Sequence, residues 1–272
     1  MSARLTRERM LDAIEAQVGL VRFALAGGGD SAAVDLAAPV PSCPEWTVHD
    51  LVTHLGAVNR WGGVTVRDGN PHERSRGLGD AMKSAPPASA GAAALADWYA
   101  SQASEMLETF TETNVDAPTW TFSGPGPAAF WLRRQLHETA LHRWDLENAL
   151  GGATATTPLP EDVAVDTVDE FHAVMYPHKG SRRPLPLTIR SRAVLHAPEG
   201  LATGAEPVGA TAPGDLEWEL HGADGSGEVE VSGSPESLAL LLWGRASADD
   251  PGLEISGDRA GLEAALEAGL SV

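Results

Sequence analysis

The chain has 272 residues, of which 43% are hydrophobic, enough for one large domain or two ordinary ones. Its formal charge of −19 argues against nucleic acid and anionic membranes as partners, because both select basic surfaces. No apolar run approaches the ~20 residues of a membrane span, and the charged N-terminal segment lacks the apolar core of a signal peptide, so a cytoplasmic protein is expected.

The first half of the sequence predicts helices. Apolar side chains recur every three or four positions, and Gly- and Pro-bearing segments separate the periodic stretches. Thr47 is the expected N-cap of the second helix, with Asp50 three residues later as in a capping box. The predicted helices cover residues 7–26, a stretch beginning near Thr47, residues 92–112 and about 127–150. Four such helices predict a four-helix bundle over residues 1–152.

The pattern changes after residue 152. A helix over about 161–175 is followed by three segments that alternate apolar and polar residues, the period of half-buried strands: "PLTIRSRAVLHA", "DLEWELHG" and "GEVEVSG". Ser234 is the expected cap of a further helix, and a short strand ("GLEISG") and a last helix complete the chain. These elements predict a small α+β domain over residues 160–272.

The single cysteine, Cys43, excludes an internal disulfide and a multi-cysteine zinc site. It lies in "PSCPEW", which predicts a proline-bounded turn before the second helix. No basic residue adjoins it to lower its pKa, so a catalytic nucleophile is not favoured here.

The fourth predicted helix carries polar residues beside its apolar face. At about 100° per residue, Glu138, His142 and Asp145 share one stripe with Trp131. Residues on the opposite side are expected to be solvated: Arg133, His137 and Glu147. A polar stripe is usually solvated, so this helix alone leaves two interpretations open, an exposed face or a metal site.

His54 lies among leucine and valine residues on the apolar face of the second helix. A lone histidine there is usually a core residue, but once buried it needs a partner, because an unpaired buried polar group costs about 1–3 kcal/mol. Glu138 and His142 supply that partner or share a metal with it. Two imidazoles and a carboxylate suit zinc and leave a fourth position open, as in catalytic sites. Asp145 is then expected to accept a ring N–H of His142 and fix its tautomer.

Two segments resemble the mycothiol-dependent maleylpyruvate isomerase family, a branch of the DinB-like metalloprotein bundles. They are "VPSCPEWTVHDLVTHLGAV" and "QLHETALHRWDLENALG", and "SPESLALLLWGRA" is similar to the family's sterol-carrier-like second domain. The resemblance implies a divalent metal, taken to be zinc, held by His54, Glu138 and His142, with mycothiol as cosubstrate. It also implies a substrate-facing arginine in the second domain, for which Arg245 is the candidate; the alternative is an arginine at a helix C-terminus.

Three functions remain open at this stage. The first is a zinc- and mycothiol-dependent enzyme whose thiolate attacks a small electrophile, as an S-transferase or a cis–trans isomerase, with Trp131 lining the cofactor pocket. The second is a non-catalytic binding or regulatory protein with a merely structural bundle. The third is a zinc-dependent hydrolase in which Asp145 or a nearby carboxylate serves as the base.

Overall fold

The computed structural model describes residues 5–28, 33–179, 185–195, 216–222 and 227–268. The chain divides into two compact units, Leu5–Pro158 and the residues from Leu159 onward. None of the helices in the described ranges combines the length and the apolar content that crossing a membrane requires.

Four long helices form the first unit. They are α1 (Arg7–Leu25), α2 (Val48–Asp68), α4 (Ala92–Glu112) and α5 (Ala129–Gly151). Helix α1 packs against both α4 and α5, and so does helix α2. A short helix, α3 (Leu78–Lys83), packs on α2. Fully buried apolar side chains fill the space between the four long helices, among them Ile14, Leu51, Leu55, Leu95, Met106 and Leu136. The predicted four-helix bundle is therefore confirmed.

The start of α2 is fixed by the capping box that the sequence predicts. The Thr47 hydroxyl accepts a hydrogen bond from the Asp50 backbone N–H at 3.2 Å, and the Asp50 carboxylate accepts one from the Thr47 N–H at 3.0 Å. Together these bonds satisfy two N–H groups that the first helical turn leaves without partners.

Two β-hairpins interrupt the helices, and the sequence analysis did not predict them. The first pairs β1 (Pro39–Val40) with β2 (Cys43–Thr47), and the second pairs β3 (Pro118–Thr121) with β4 (Gly124–Pro127). The expected turn around Cys43 is therefore a strand that leads directly into α2. Proline obscures such strands in a sequence, but it is tolerated at sheet edges, where its missing N–H breaks no ladder.

Helix α5 is enclosed on more sides than its sequence suggests. His137 is fully buried, so its predicted place on a solvated face is wrong, and the Glu147 side chain is only 11% exposed. Part of α5 also contacts α1. Arg143, also fully buried, donates from Nε to Gln17 of α1 at 2.8 Å and from Nη1 to Glu147 at 2.8 Å.

The second unit is an α+β domain, as predicted. Helix α6 (Glu161–Glu170) continues through a π-helical turn (Phe171–Met175) into α7 (Tyr176–Lys179). Ser234 caps a further helix, as expected, by accepting the Ser237 backbone N–H at 3.1 Å. The remaining elements are β5 (Leu187–Ala193), β6 (Leu216–Leu220), β7 (Gly227–Gly233), α8 (Pro235–Leu242), β8 (Leu253–Gly257) and α9 (Arg259–Glu267).

The four strands in the described part of this unit form one sheet in the order β6-β5-β7-β8. Strands β5 and β7 are parallel, and the other neighbours are antiparallel. Helices α8 and α9 pack against β5 and β7, and α6 packs against α8. On the other side, arginines of β5 pair with glutamates of the flanking strands, as Arg190 does with Glu219 and Glu228.

The close contact between α2 and α4 generates a stability prediction. A Cβ on Gly63 would lie 3.1 Å from the Met106 Cα, so a branched side chain has no room. Gly63→Val should lower the free energy of unfolding by about 1–3 kcal/mol through overpacking. Gly19→Ala on α1 is the control; no atom lies within 4 Å of its added Cβ, and it should raise stability by up to about 1 kcal/mol. Urea unfolding measures both, and an unchanged midpoint for Gly63→Val would contradict this packing.

Candidate metal centre

Three side chains from two helices converge in the bundle. His54 lies on α2, and Glu138 and His142 lie one turn apart on α5. The His54 Nε2 is 3.1 Å from Glu138 Oε1, and the His142 Nε2 is 3.4 Å from the same oxygen. The two imidazole rings are nearly perpendicular, with centroids 5.2 Å apart.

The spacing of the donor atoms fits a small divalent ion. All three residues offer a donor atom within 4.8 Å of the other two. With metal–ligand distances of about 2.0–2.1 Å, a tetrahedral site separates neighbouring ligand atoms by roughly 3.3–3.4 Å. The distances from Glu138 Oε1 to the nitrogens of His54 and His142 match that separation. The site can therefore take an ion with nitrogen and oxygen preferences by a small adjustment of side chains.

Asp145 accepts a hydrogen bond from the ring of His142. The His142 Nδ1 lies 2.8 Å from Asp145 Oδ2, and the Ser42 hydroxyl donates to the other carboxylate oxygen, Oδ1. Asp145 is fully buried. In the neutral imidazole this contact places the proton on Nδ1 and leaves the Nε2 lone pair facing Glu138, which is the usual arrangement behind a metal-binding histidine.

Arg134 holds the second oxygen of Glu138. Its Nη2 donates to Glu138 Oε2 at 2.9 Å, and its side chain is only 4% exposed. The two oxygens of Glu138 thus have different neighbours, the guanidinium on one side and the two imidazoles on the other. Sequence reasoning missed Arg134, although it lies four residues before Glu138, the spacing of an ion pair on one helix face.

Electrostatics at the centre favour positive charge between the carboxylates. Burial raises the pKa of Glu138, but hydrogen bonds from His142 and His54 and the charge of Arg134 outweigh it and hold that pKa well below its usual range. Burial lowers the pKa of His142, but its hydrogen bonds to Asp145 and Glu138 outweigh it and raise the pKa to about 8. A proton and a metal ion would compete for this position.

The β1–β2 hairpin covers the imidazoles. The Trp46 ring centroid lies 4.6 Å from that of His54 and 5.9 Å from that of His142. The Cys43 sulfur lies within 4.8 Å of donor atoms of His142 and Asp145. Trp46 carries no signature in the sequence, because a strand that folds back over α2 and α5 leaves no periodic pattern.

Trp131 and Arg245 lie in other surroundings. Trp131 is fully buried in an aromatic cluster, packs against Trp61 and Trp120, and donates from its indole to the Trp120 carbonyl at 2.6 Å. Its role in binding the cofactor stays a prediction. Arg245, after α8 in the second unit, donates to the Trp243 carbonyl at 2.6 Å, as the helix-end interpretation expects. Its role toward a substrate also stays a prediction.

Comparison with family models covers both units. Residues 20–147 match the mycothiol maleylpyruvate isomerase N-terminal domain, and residues 162–264 match the C-terminal domain of the same family. The chain belongs to the mycothiol maleylpyruvate isomerase family. Within the family's N-terminal domain lie the three converging side chains, together with Asp145 and Arg134. The comparison with curated proteins found no match.

Solved structures support the fold of this family member. The chain is similar to the crystal structure of the mycothiol-dependent maleylpyruvate isomerase, with a TM-score of 0.62, 16% identity and 93% of each chain covered. A histidine-to-alanine mutant of that enzyme gives a TM-score of 0.61 and 17% identity, again with 93% of each chain covered. At this level of identity the similarity establishes the fold alone.

Asp145 accepts hydrogen bonds from both His142 and Ser42, and we predict that losing this shared acceptor destabilises the metal-free protein. Asp145→Ala leaves the buried Nδ1 of His142 and the Ser42 hydroxyl without their shared acceptor. The free energy of unfolding should fall by about 1–3 kcal/mol. Asp97→Ala, an exposed substitution on α4, is the control and should change stability by less than about 0.5 kcal/mol. Chemical unfolding in the presence of a chelator measures both variants. Equal stability of Asp145→Ala and the wild-type protein would contradict the role of Asp145 as a shared acceptor.

Proposed function

We propose that this protein is a metal-dependent enzyme in which a thiol, mycothiol, attacks a small electrophilic substrate, and that it acts as a cis–trans isomerase. The observation that carries the proposal is the convergence of His54 and His142 on one oxygen of Glu138. Family membership supports mycothiol as the thiol, since the matched models describe mycothiol maleylpyruvate isomerases. Zinc is the proposed ion because two imidazoles and a carboxylate suit it.

Different residues of the chain would bind the ion, orient a ligand and exclude water. His54, Glu138 and His142 would hold the ion, which when bound supplies the Lewis acidity that lets a thiol lose its proton at neutral pH. Asp145 keeps the Nε2 of His142 available by accepting from its Nδ1. Trp46, packed against both imidazoles, would limit the access of water.

The proposed reaction consumes no thiol. The thiolate sulfur adds to one carbon of a carbon–carbon double bond that is conjugated to a carbonyl group, and the π electrons move onto the carbonyl oxygen. The former double bond is then single and can rotate. Return of the electrons expels the same sulfur as thiolate and restores the double bond with the opposite geometry. An electrophile with a leaving group would instead keep the sulfur, which is the S-transferase outcome.

Family membership favours isomerization over S-transfer, because the matched N-terminal model describes a mycothiol maleylpyruvate isomerase. The three side chains and the bundle alone fit either outcome, because both begin with the same nucleophile. The hydrolase alternative draws no support from the matched family models.

Metal content provides the first test. The purified protein should contain about one divalent ion per chain, and His142→Ala should lose it because only two ligands remain. His72→Ala, at an exposed histidine in the segment after α2, is the matched control and should keep the ion. Elemental analysis of the three proteins provides the measurement. Full occupancy in His142→Ala would refute the ligand assignment.

Thiol dependence provides the second test. A cis-enone or cis-dicarbonyl acid should isomerize with catalytic amounts of mycothiol, more slowly with a simpler thiol and not at all without thiol. Free thiol is titrated before and after complete turnover. An unchanged thiol concentration identifies an isomerase, whereas stoichiometric loss identifies an S-transferase. Absence of thiol-dependent turnover in the metal-loaded protein would favour a non-catalytic binding protein.

A further inference from the structure

Arg134 makes the two oxygens of the Glu138 carboxylate inequivalent. Its Nη2 lies 2.9 Å from Oε2, whereas the imidazole nitrogens of His54 and His142 lie 3.1 and 3.4 Å from Oε1. The guanidinium is cationic, and the Arg134 side chain is almost entirely buried. Its bond to Oε2 is therefore charge-assisted and shielded from water, the conditions under which such a bond is strong.

This inequivalence matters because carboxylates bind divalent ions through one oxygen or through both. If Oε2 also turned toward the ion, it would take up the position that an incoming ligand needs, since three protein donors leave one place in a tetrahedral site. Turning Oε2 away from Arg134 would break a buried, charge-assisted hydrogen bond, which is costly. The contact therefore opposes binding through both oxygens.

We infer that Arg134 is a positioning residue that confines Glu138 to one-oxygen coordination and thereby keeps a coordination position available for a thiol. This inference rests on the proposed metal centre and goes beyond it, because it attributes the open coordination position to the action of Arg134, which does not itself bind the ion. Arg134 donates its hydrogen bond within α5, and the charge it brings also favours an anionic fourth ligand over a neutral one.

Cobalt substitution tests the inference, because the visible absorption of Co²⁺ is strong in four-coordinate sites and weakens as coordination number rises. Wild-type protein, Arg134→Met and a control, Arg60→Met, are loaded with Co²⁺ and titrated with 2-mercaptoethanol. A small thiol avoids any dependence on mycothiol recognition. Arg60 is a suitable control because it is a partly exposed arginine of α2 that bonds to Gln102 and not to Glu138.

The expected result is that all three proteins bind Co²⁺, and that Arg134→Met alone has a weaker visible band before any thiol is added. Its affinity for 2-mercaptoethanol should fall by about 10-fold or more, the size typical of changes behind a metal ligand. A purely electrostatic role would lower the thiol affinity without changing the thiol-free spectrum. Such a result, or identical spectra and affinities in wild type and variant, would overturn the inference.

Two further outcomes are distinguishable. If Arg134→Met does not fold, Arg134→Gln retains a neutral donor at the same place and should show the same changes in smaller measure; an unaltered spectrum and thiol affinity in that variant would overturn the inference. If wild-type protein takes up no Co²⁺, the proposed metal centre itself fails, and the inference fails with it.

Discussion

Partial burial of the Glu138 carboxylate, whose side chain is 19% exposed, between two imidazoles and a guanidinium constrains how the bundle packs. A buried carboxylate is costly unless it is paired and hydrogen-bonded, and its partners here come from two different helices. Helices α2 and α5 must therefore pack with the register that brings His54 opposite Glu138. The capping box at Thr47 fixes where α2 begins, so that His54 sits two turns into the helix. A shift by one residue would rotate it by about 100° and break the pairing.

Helix α5 carries the candidate metal centre on one side and contacts α1 on the other. One side carries Glu138, His142 and Asp145, while the other carries Arg143, whose guanidinium binds Gln17 of α1 and Glu147. Both sides are buried, so polar residues on each must be satisfied within the protein. This arrangement keeps the central helix in place from both directions. It also explains why α5 has little of the amphipathic character expected of a surface helix, because no broad face of it meets water.

The environment of the candidate metal centre depends on a short hairpin as much as on the helices. Strand β2 leads directly into α2, so Trp46 reaches the imidazoles and Ser42 reaches Asp145 from the same segment. Chains with 16% identity share this overall fold. The family can thus preserve its architecture while most side chains change, since helix packing requires apolar residues of suitable volume more than particular identities.

Local sequence patterns are enough to predict the long helices of the bundle, the capping box, the strands of the second unit, and the stripe that joins Glu138, His142 and Asp145. These follow from local periodicity and short-range hydrogen bonding, which depend only on neighbours along the chain. Only the packed structure shows that His137 is buried and that Ser42 and Trp46 reach the centre. Those contacts depend on which surfaces pack together, because side chains far apart in sequence meet only once the helices and the hairpin have docked.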